Sequence, residues 1–192
     1  MKTPDPASRV QIVNEPGYSF GSAGNARRYD TEVDLTDGCC PSSVHGIFVD
    51  DRPTMVIGDA GGASGVHAHS LLVLDSRVFV AVGAHVVCFT LGNQRPDWIL
   101  KTDEATCFGV YYDREHDALI SHGELTISRL SRDGEILWSE GGADIFSEGF
   151  SLLPENIEAI DFDHRVYHFD YLTGTTRGDN KPTNRMAGNT PV

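Results

Sequence analysis

Val80-Ala81-Val82-Gly83 and Ile120-Ser121-His122-Gly123 are two runs that end on a glycine, set 40 residues apart. After each glycine a second run follows, Val86 to Leu91 in the first copy and Leu125 to Leu130 in the second. A glycine turn then leads to a tryptophan, from Gly92 to Trp98 and from Asp133-Gly134 to Trp138, so the two indoles keep the same 40-residue spacing. A third copy, without a tryptophan, lies as far again along the chain. It comprises Ile160 to Asp163, a turn at His164-Arg165, Val166 to Tyr171 and a turn at Thr173-Gly174. Self-similarity at a fixed period marks supersecondary units that bury their faces against neighbouring copies.

The local pattern within each copy is that of strands. Val78, Val80 and Val82 point one way and Phe79 and Ala81 the other, so this run is apolar on both faces and rich in β-branched residues, as a buried strand is. Tyr167, Phe169 and Tyr171 alternate with His168 and Asp170, which predicts a strand with one covered and one wetter face. Four such runs fill a copy: Ser70 to Leu74, Val78 to Val82, Val86 to Leu91 and a short one near Trp98 to Leu100. Trp98 and Trp138 recur in register, and a residue that does so packs between repeats. Four short antiparallel strands every 40 residues or so is the sequence habit of propeller blades.

The stretch from Ile127 to Trp138, which turns at Asp133-Gly134, and the stretch from Phe169 to Gly174 resemble the strand, turn and tryptophan segments of β-propeller repeats of the quinoprotein-like (PQQ-like or WD-like) kind. The resemblance covers residues 70–176. It implies an all-β fold of propeller-like repeats, with three clear units and a divergent N-terminal one, forming a small four-bladed ring or an open half-propeller. The chain departs from the family in having room for four blades at most, where such propellers have six to eight. Nothing in it matches a quinone-binding site, so no cofactor is implied.

Outside the repeats, residues 1–28 hold Pro4, Pro6 and Pro16 among Gly, Ser, Asn and Arg residues and are expected as a partly ordered arm with a short strand at Val10 to Val13. Residues 29–176 form the β-repeat domain. Val44 to Val49 and Thr54 to Ile57 read as a hairpin around Asp50-Asp51-Arg52-Pro53. Residues 177–192 have little to bury and are expected as a flexible tail.

Of 192 residues, 40% are hydrophobic, enough for one folded domain, and 20 glycines and nine prolines favour many turns over long helices. The net charge of −13 repels phosphate backbones and anionic lipid, which argues against nucleic acid or a membrane surface as partner. No export signal or membrane-spanning stretch is readable, and the four cysteines have no zinc spacing; a cytoplasmic protein with reduced thiols is expected.

Gly58 to His69 is the most irregular stretch and the candidate binding loop, with Asp59, Ser64, His67 and His69 as its polar groups. His67 and His69 at alternate positions, beside Asp59, could hold a divalent metal if they share one face of a strand; otherwise they take hydrogen bonds at a strand entrance. Ser64 sits in a near-match to a nucleophile elbow that lacks its last glycine and any helix to follow. Asp161, Asp163 and Asp170 lack the spacing of a calcium loop and read as surface carboxylates. The expected function is a non-enzymatic protein-binding or scaffold module, such as an acidic inhibitor or immunity-type protein, with a protein partner, a basic one being favoured. Two alternatives stand beside it: a metal-dependent hydrolase on His67, His69 and Asp59, and a half-propeller completed by homodimerisation.

Overall fold

The computed structural model describes residues 9–176, so the expectations for residues 1–8 and for the tail at 177–192 lie outside the described residues. The described chain holds fifteen strands in four small sheets. The first sheet contains β1 (Val10–Asn14), β2 (Thr31–Leu35), β3 (Ser43–Val49) and β4 (Arg52–Asp59) in the order β1-β3-β4-β2. The second runs β5 (Leu71–Leu74), β6 (Arg77–Val82), β7 (His85–Thr90) and β8 (Trp98–Lys101) as an antiparallel meander. The third repeats that meander with β9 (Cys107–Asp113), β10 (Ala118–Gly123), β11 (Thr126–Leu130) and β12 (Ile136–Gly141). The fourth has three strands, β13 (Gly149–Leu152), β14 (Ile157–Ile160) and β15 (Val166–Phe169).

The alternation read in β6 decides how the sheets stack. Val78, Val80 and Val82 enter an apolar cluster with Ile47, Met55 and Ile57 of the first sheet. Phe79 and Ala81, on the other face, enter a second cluster with Cys107, Val110 and Leu119 of the third. A further cluster joins Ile120, Ile127 and Trp138 of the third sheet to Ile157, Tyr167 and Phe169 of the fourth. Among the described residues no such cluster joins the fourth sheet back to the first. The sheets form an open row with three junctions.

The tryptophans lock this row in register. Trp98, at the start of β8, donates its Nε1–H to the Arg132 carbonyl at 2.9 Å, and Trp138, on β12, donates to the Tyr171 carbonyl at 3.0 Å. Each ring packs against a turn glycine of the following sheet, where an added Cβ would fall 2.7 Å from the indole at both Gly134 and Gly174. Both glycines also have positive φ, +87° and +71°, a region that L side chains enter at a cost. The recurring Gly and Trp of the sequence repeat are therefore the two halves of one contact between sheets. Asp103 adds a second tie, accepting N–H bonds from Leu125 and Thr126 at 2.9 Å each, across the β10–β11 turn.

The first sheet breaks the pattern. β4 ends at the β6–β7 turn, where Asp59 accepts from the Ala84 N–H, while the start of β2 reaches the β7–β8 loop through a bond from Thr31 Oγ1 to the Gln94 carbonyl. Its third strand therefore runs opposite to β7, and the antiparallel partners β3 and β1 are reversed with it. The outermost β2 is parallel to β4. The expected hairpin at Asp50 is present, and both turn residues, Asp50 and Asp51, have positive φ as a tight two-residue turn needs.

Residues 9–28, which hold the short strand expected at Val10 to Val13, pack on this sheet. They supply β1 and then cross the sheet's outer face, where Tyr18 and Phe20, with Tyr29, cover Val44 and Val56. The three rings meet edge to face, Tyr18 lying 5.6 Å from Phe20 and 5.7 Å from Tyr29. Tyr18 donates its hydroxyl to Glu32 and Tyr29 to Glu15. Gly46 and Gly58 leave the room these rings occupy. This lid seals one end of the row.

Candidate functional site

The chain between β4 and β5 crosses from the first sheet to the second, and its polar groups gather at that junction. Asp59 closes β4, is nearly inaccessible, and its Oδ2 accepts from the Ala84 N–H at 2.8 Å and meets His85 Nδ1 at 2.6 Å. Oδ1 accepts from the Gly61 N–H at 3.2 Å. Burial raises the pKa of this carboxyl, but the bonds from His85, Ala84 and Gly61 favour the anion more, and the net shift is downward. A Cβ at Gly83 would fall 2.3 Å from Oδ2, so the glycine that ends the first sequence copy makes room for this carboxylate.

Ser64 is held from three sides. Its N–H donates to Ser43 Oγ at 2.7 Å, its Oγ accepts from the Gly83 N–H at 3.0 Å, and its carbonyl lies 3.1 Å from Nε2 of the fully buried His45. The imidazole thus faces the serine's carbonyl and not its hydroxyl, and the arrangement needed to activate a serine nucleophile is not formed. Desolvation lowers the pKa of His45, so this ring is neutral near pH 7.

His67 and His69 lie in the loop ahead of β5, so the strand alternation that would have set them side by side does not apply. Their ring centroids are 6.2 Å apart. His67 Nδ1 accepts from the His69 N–H at 3.2 Å, and Nε2 bonds the Phe108 carbonyl, which can only accept, so both nitrogens of His67 are occupied. Among the described residues no three His, Cys, Asp or Glu side chains converge as metal ligands do. Asp59 points to the β6–β7 turn and His85. The four candidate residues thus share a loop but do not converge on a common ligand.

The structure adds a feature with no counterpart in the sequence pattern. The His69 ring stacks on Tyr111 at 4.1 Å, Tyr111 lies 4.5 Å from Phe150, and Phe150 stacks on His122 at 4.4 Å. This column of rings runs along the inner strands β9 and β13 and ties the entrance loop to the third and fourth sheets. His122 is buried beneath it with Nε2 3.2 Å from the Phe146 carbonyl, and desolvation drives its pKa down to about 4. A depression of about 270 Å³ beside Ser64 is lined by Asn14, Pro16 and Pro41.

Asp161, read from sequence as a surface carboxylate, is fully buried. It accepts from the Arg165 N–H at 2.8 Å and from the Tyr167 hydroxyl at 2.9 Å, and stabilises the β14–β15 turn.

No family model matches the chain, and no curated protein matches it in sequence. Solved structures do resemble it. The C-terminal WD40 domain of Sif2 superposes with a TM-score of 0.55 at 10% identity, covering 76% of this chain and 44% of that one. BamB from Moraxella catarrhalis gives 0.48 at 14% identity, covering 72% and 43%, and the computationally designed Ika4 protein gives 0.49 at 13%, covering 62% and 78%. The chain spans less than half the length of the Sif2 and BamB structures. At 10% identity the likeness to the Sif2 domain concerns the fold alone, and the fold is β-propeller-like: small sheets, antiparallel except for the β2–β4 pair, stacked face to face in an open row.

Proposed function

We propose that the chain is a non-enzymatic protein-binding module, a rigid row of sheets that offers an acidic surface to a basic partner. One observation carries this reading: the side chains with catalytic potential in the Gly58–His69 loop are engaged in ties within and between sheets. Asp59 holds the β6–β7 turn, Ser64 bridges Ser43 and Gly83, and His67 bonds the backbone with both nitrogens. What the loop leaves exposed is Ala63, Gly65 and His67 to His69. A net charge of −13 supports a cationic partner through steering and complementarity. The four cysteines are unpaired and Cys39 and Cys40 are exposed, which supports a reducing, cytoplasmic setting. No helix among the described residues is long and apolar enough to cross a membrane.

Metal analysis tests this reading. Protein purified without chelators is expected to hold no stoichiometric transition metal. One equivalent of metal, lost in a His67→Ala, His69→Ala variant, would overturn it in favour of a metal site on those residues, the premise of the hydrolase alternative.

A further inference from the structure

The fourth sheet differs from the others in what lies on its outward face. Phe150, Leu152, Ile157, Ala159, Tyr167 and Phe169 point toward the third sheet. Strand alternation puts Ser151, Glu158, Ile160, Val166 and His168 on the opposite face. There Ile160 pairs with Val166 and Glu158 with His168 in register. Each of the other sheets has both faces covered, by a neighbouring sheet or, on the first, by the aromatic lid. Among the described residues no apolar cluster covers the Ile160–Val166 face. Two large apolar side chains stand exposed beside it, Phe162 at 59% in the β14–β15 turn and Leu172 at 75% in the turn after β15.

Charge is concentrated in the stretch of chain that builds this sheet. Residues 142–176, which build the fourth sheet and its flanking loops, hold seven carboxylates and one arginine, −6 of the chain's −13. The arginine is committed, since Arg165 pairs with both Asp161 and Asp163. Asp144, Glu148 and Glu155 are exposed. A second copy of the chain is poorly suited to this face: the stretch that builds its own fourth sheet would bring −6 against −6, and its first sheet is already lidded. Nucleic acid and anionic bilayers are repelled for the same reason.

We infer that the Ile160–Val166 face of the fourth sheet docks a cationic protein segment. The segment sets apolar side chains on Ile160, Val166 and Phe162 and Lys or Arg toward Glu158 and the surrounding carboxylates. This inference rests on the binding-module reading and names the surface that does the binding.

The test is fluorescence anisotropy with three labelled twelve-residue peptides, alternating Lys-Val, Lys-Ser and Glu-Val, against the full chain. The Lys-Val peptide is expected to bind best, to weaken at least tenfold between 50 and 300 mM KCl, and to weaken at least tenfold in the Glu158→Lys, Val166→Lys variant. If that variant does not fold, Glu158→Gln, Val166→Thr decides, with a loss of at least threefold expected. Equal binding of Lys-Ser or Glu-Val, or unchanged binding to the variants, overturns the inference. So does a tenfold gain in affinity when Arg177, Lys181 and Arg185 are all changed to Ser, because the chain's own C-terminal residues would then be the cover. A wild-type dimer in light scattering that becomes a monomer in the variant assigns the face to a second copy and overturns it too. Failure here with a metal-free protein leaves the binding-module reading standing, whereas stoichiometric metal removes that reading itself.

Discussion

The junctions after the second and third sheets and the outer face of the first sheet all bury an aromatic against a glycine, but they are built in different ways. In the middle of the chain the contact recurs: Trp98 on Gly134 and Trp138 on Gly174, each indole bonded to a carbonyl of the next sheet. On the first sheet the aromatics come from a single non-repeating segment, and Phe20 and Tyr29 lie over Gly58 and Gly46. The difference teaches what the 40-residue repeat encodes. It specifies the contact between consecutive sheets more than the strands themselves. The outer face of the first sheet is covered by other means, as the end units of repeat proteins are.

Truncating the two tryptophans should break the middle junctions unequally. Trp138 is 9% exposed within the junction between the third and fourth sheets, whereas Trp98 is only half-buried. Trp138→Ala is expected to cost about 4 kcal/mol and Trp98→Ala about 2 kcal/mol, in line with losses for large aromatics in cores and at their margins. For a chain of this size the larger loss lowers the melting temperature by roughly 10 °C. Urea denaturation of both variants measures it, and a Trp98 variant as damaged as the Trp138 variant would contradict the ranking.

Acid separates the junctions by a different route. His122 lies under the ring column with a folded pKa of about 4, below the usual histidine value, because burial disfavours the cation. His67 and His69 oppose its protonation and Asp103 favours it. The folded state therefore binds fewer protons than the unfolded chain. The contribution of this group to stability is intact above pH 6.5 and declines as the pH falls toward 4, by on the order of 2 kcal/mol at pH 5. His45, buried between the first two sheets, is shifted the same way. Asp59 is shifted below the ordinary carboxylate range, so its stabilisation is lost only at more acid pH. Denaturation curves at pH 7, 6 and 5 should show the loss, and His122→Phe should flatten it; a variant with the wild-type slope would place the titration elsewhere.

How much of this was legible depended on whether a contact repeats. Val78, Val80 and Val82 against Phe79 and Ala81 revealed a strand covered on both sides, and the spacing of Trp98 and Trp138 revealed their packing. The reversed first sheet was not legible. Its β2 pairs in parallel with β4 across more than twenty residues, and Tyr18, Phe20 and Tyr29 sit among Gly, Ser and Asn with no period to announce a lid. The candidate loop was visible as irregular, and of the two readings of its histidines, hydrogen bonds at a strand entrance or a shared strand face, His67 takes the first, since both rings lie ahead of β5. Their true partners, Phe108 for His67 and Tyr111 for His69, come from β9 about forty residues away. Asp161 was misread because nothing local shows that Arg165 and Tyr167 fold back onto it.

The lid offers the finest test of the comparison. Phe20 is half-buried, lies over Gly58, and contacts Tyr18 edge to face at 5.6 Å. Phe20→Ala removes about half of a phenylalanine's burial, which corresponds to roughly 1.5 kcal/mol and a few degrees in melting temperature. Tyr18 and Tyr29 keep their bonds to Glu32 and Glu15 in this variant, so the segment should stay docked while amide exchange quickens at Val44 and Val56 beneath it. The third and fourth sheets should exchange as before. If Phe20→Ala cost as much as Trp138→Ala, or sped exchange at the distant junctions too, the first sheet would be part of the same cooperative lock as the repeats. The distinction between a repeated contact and a terminal cap would then have no energetic meaning.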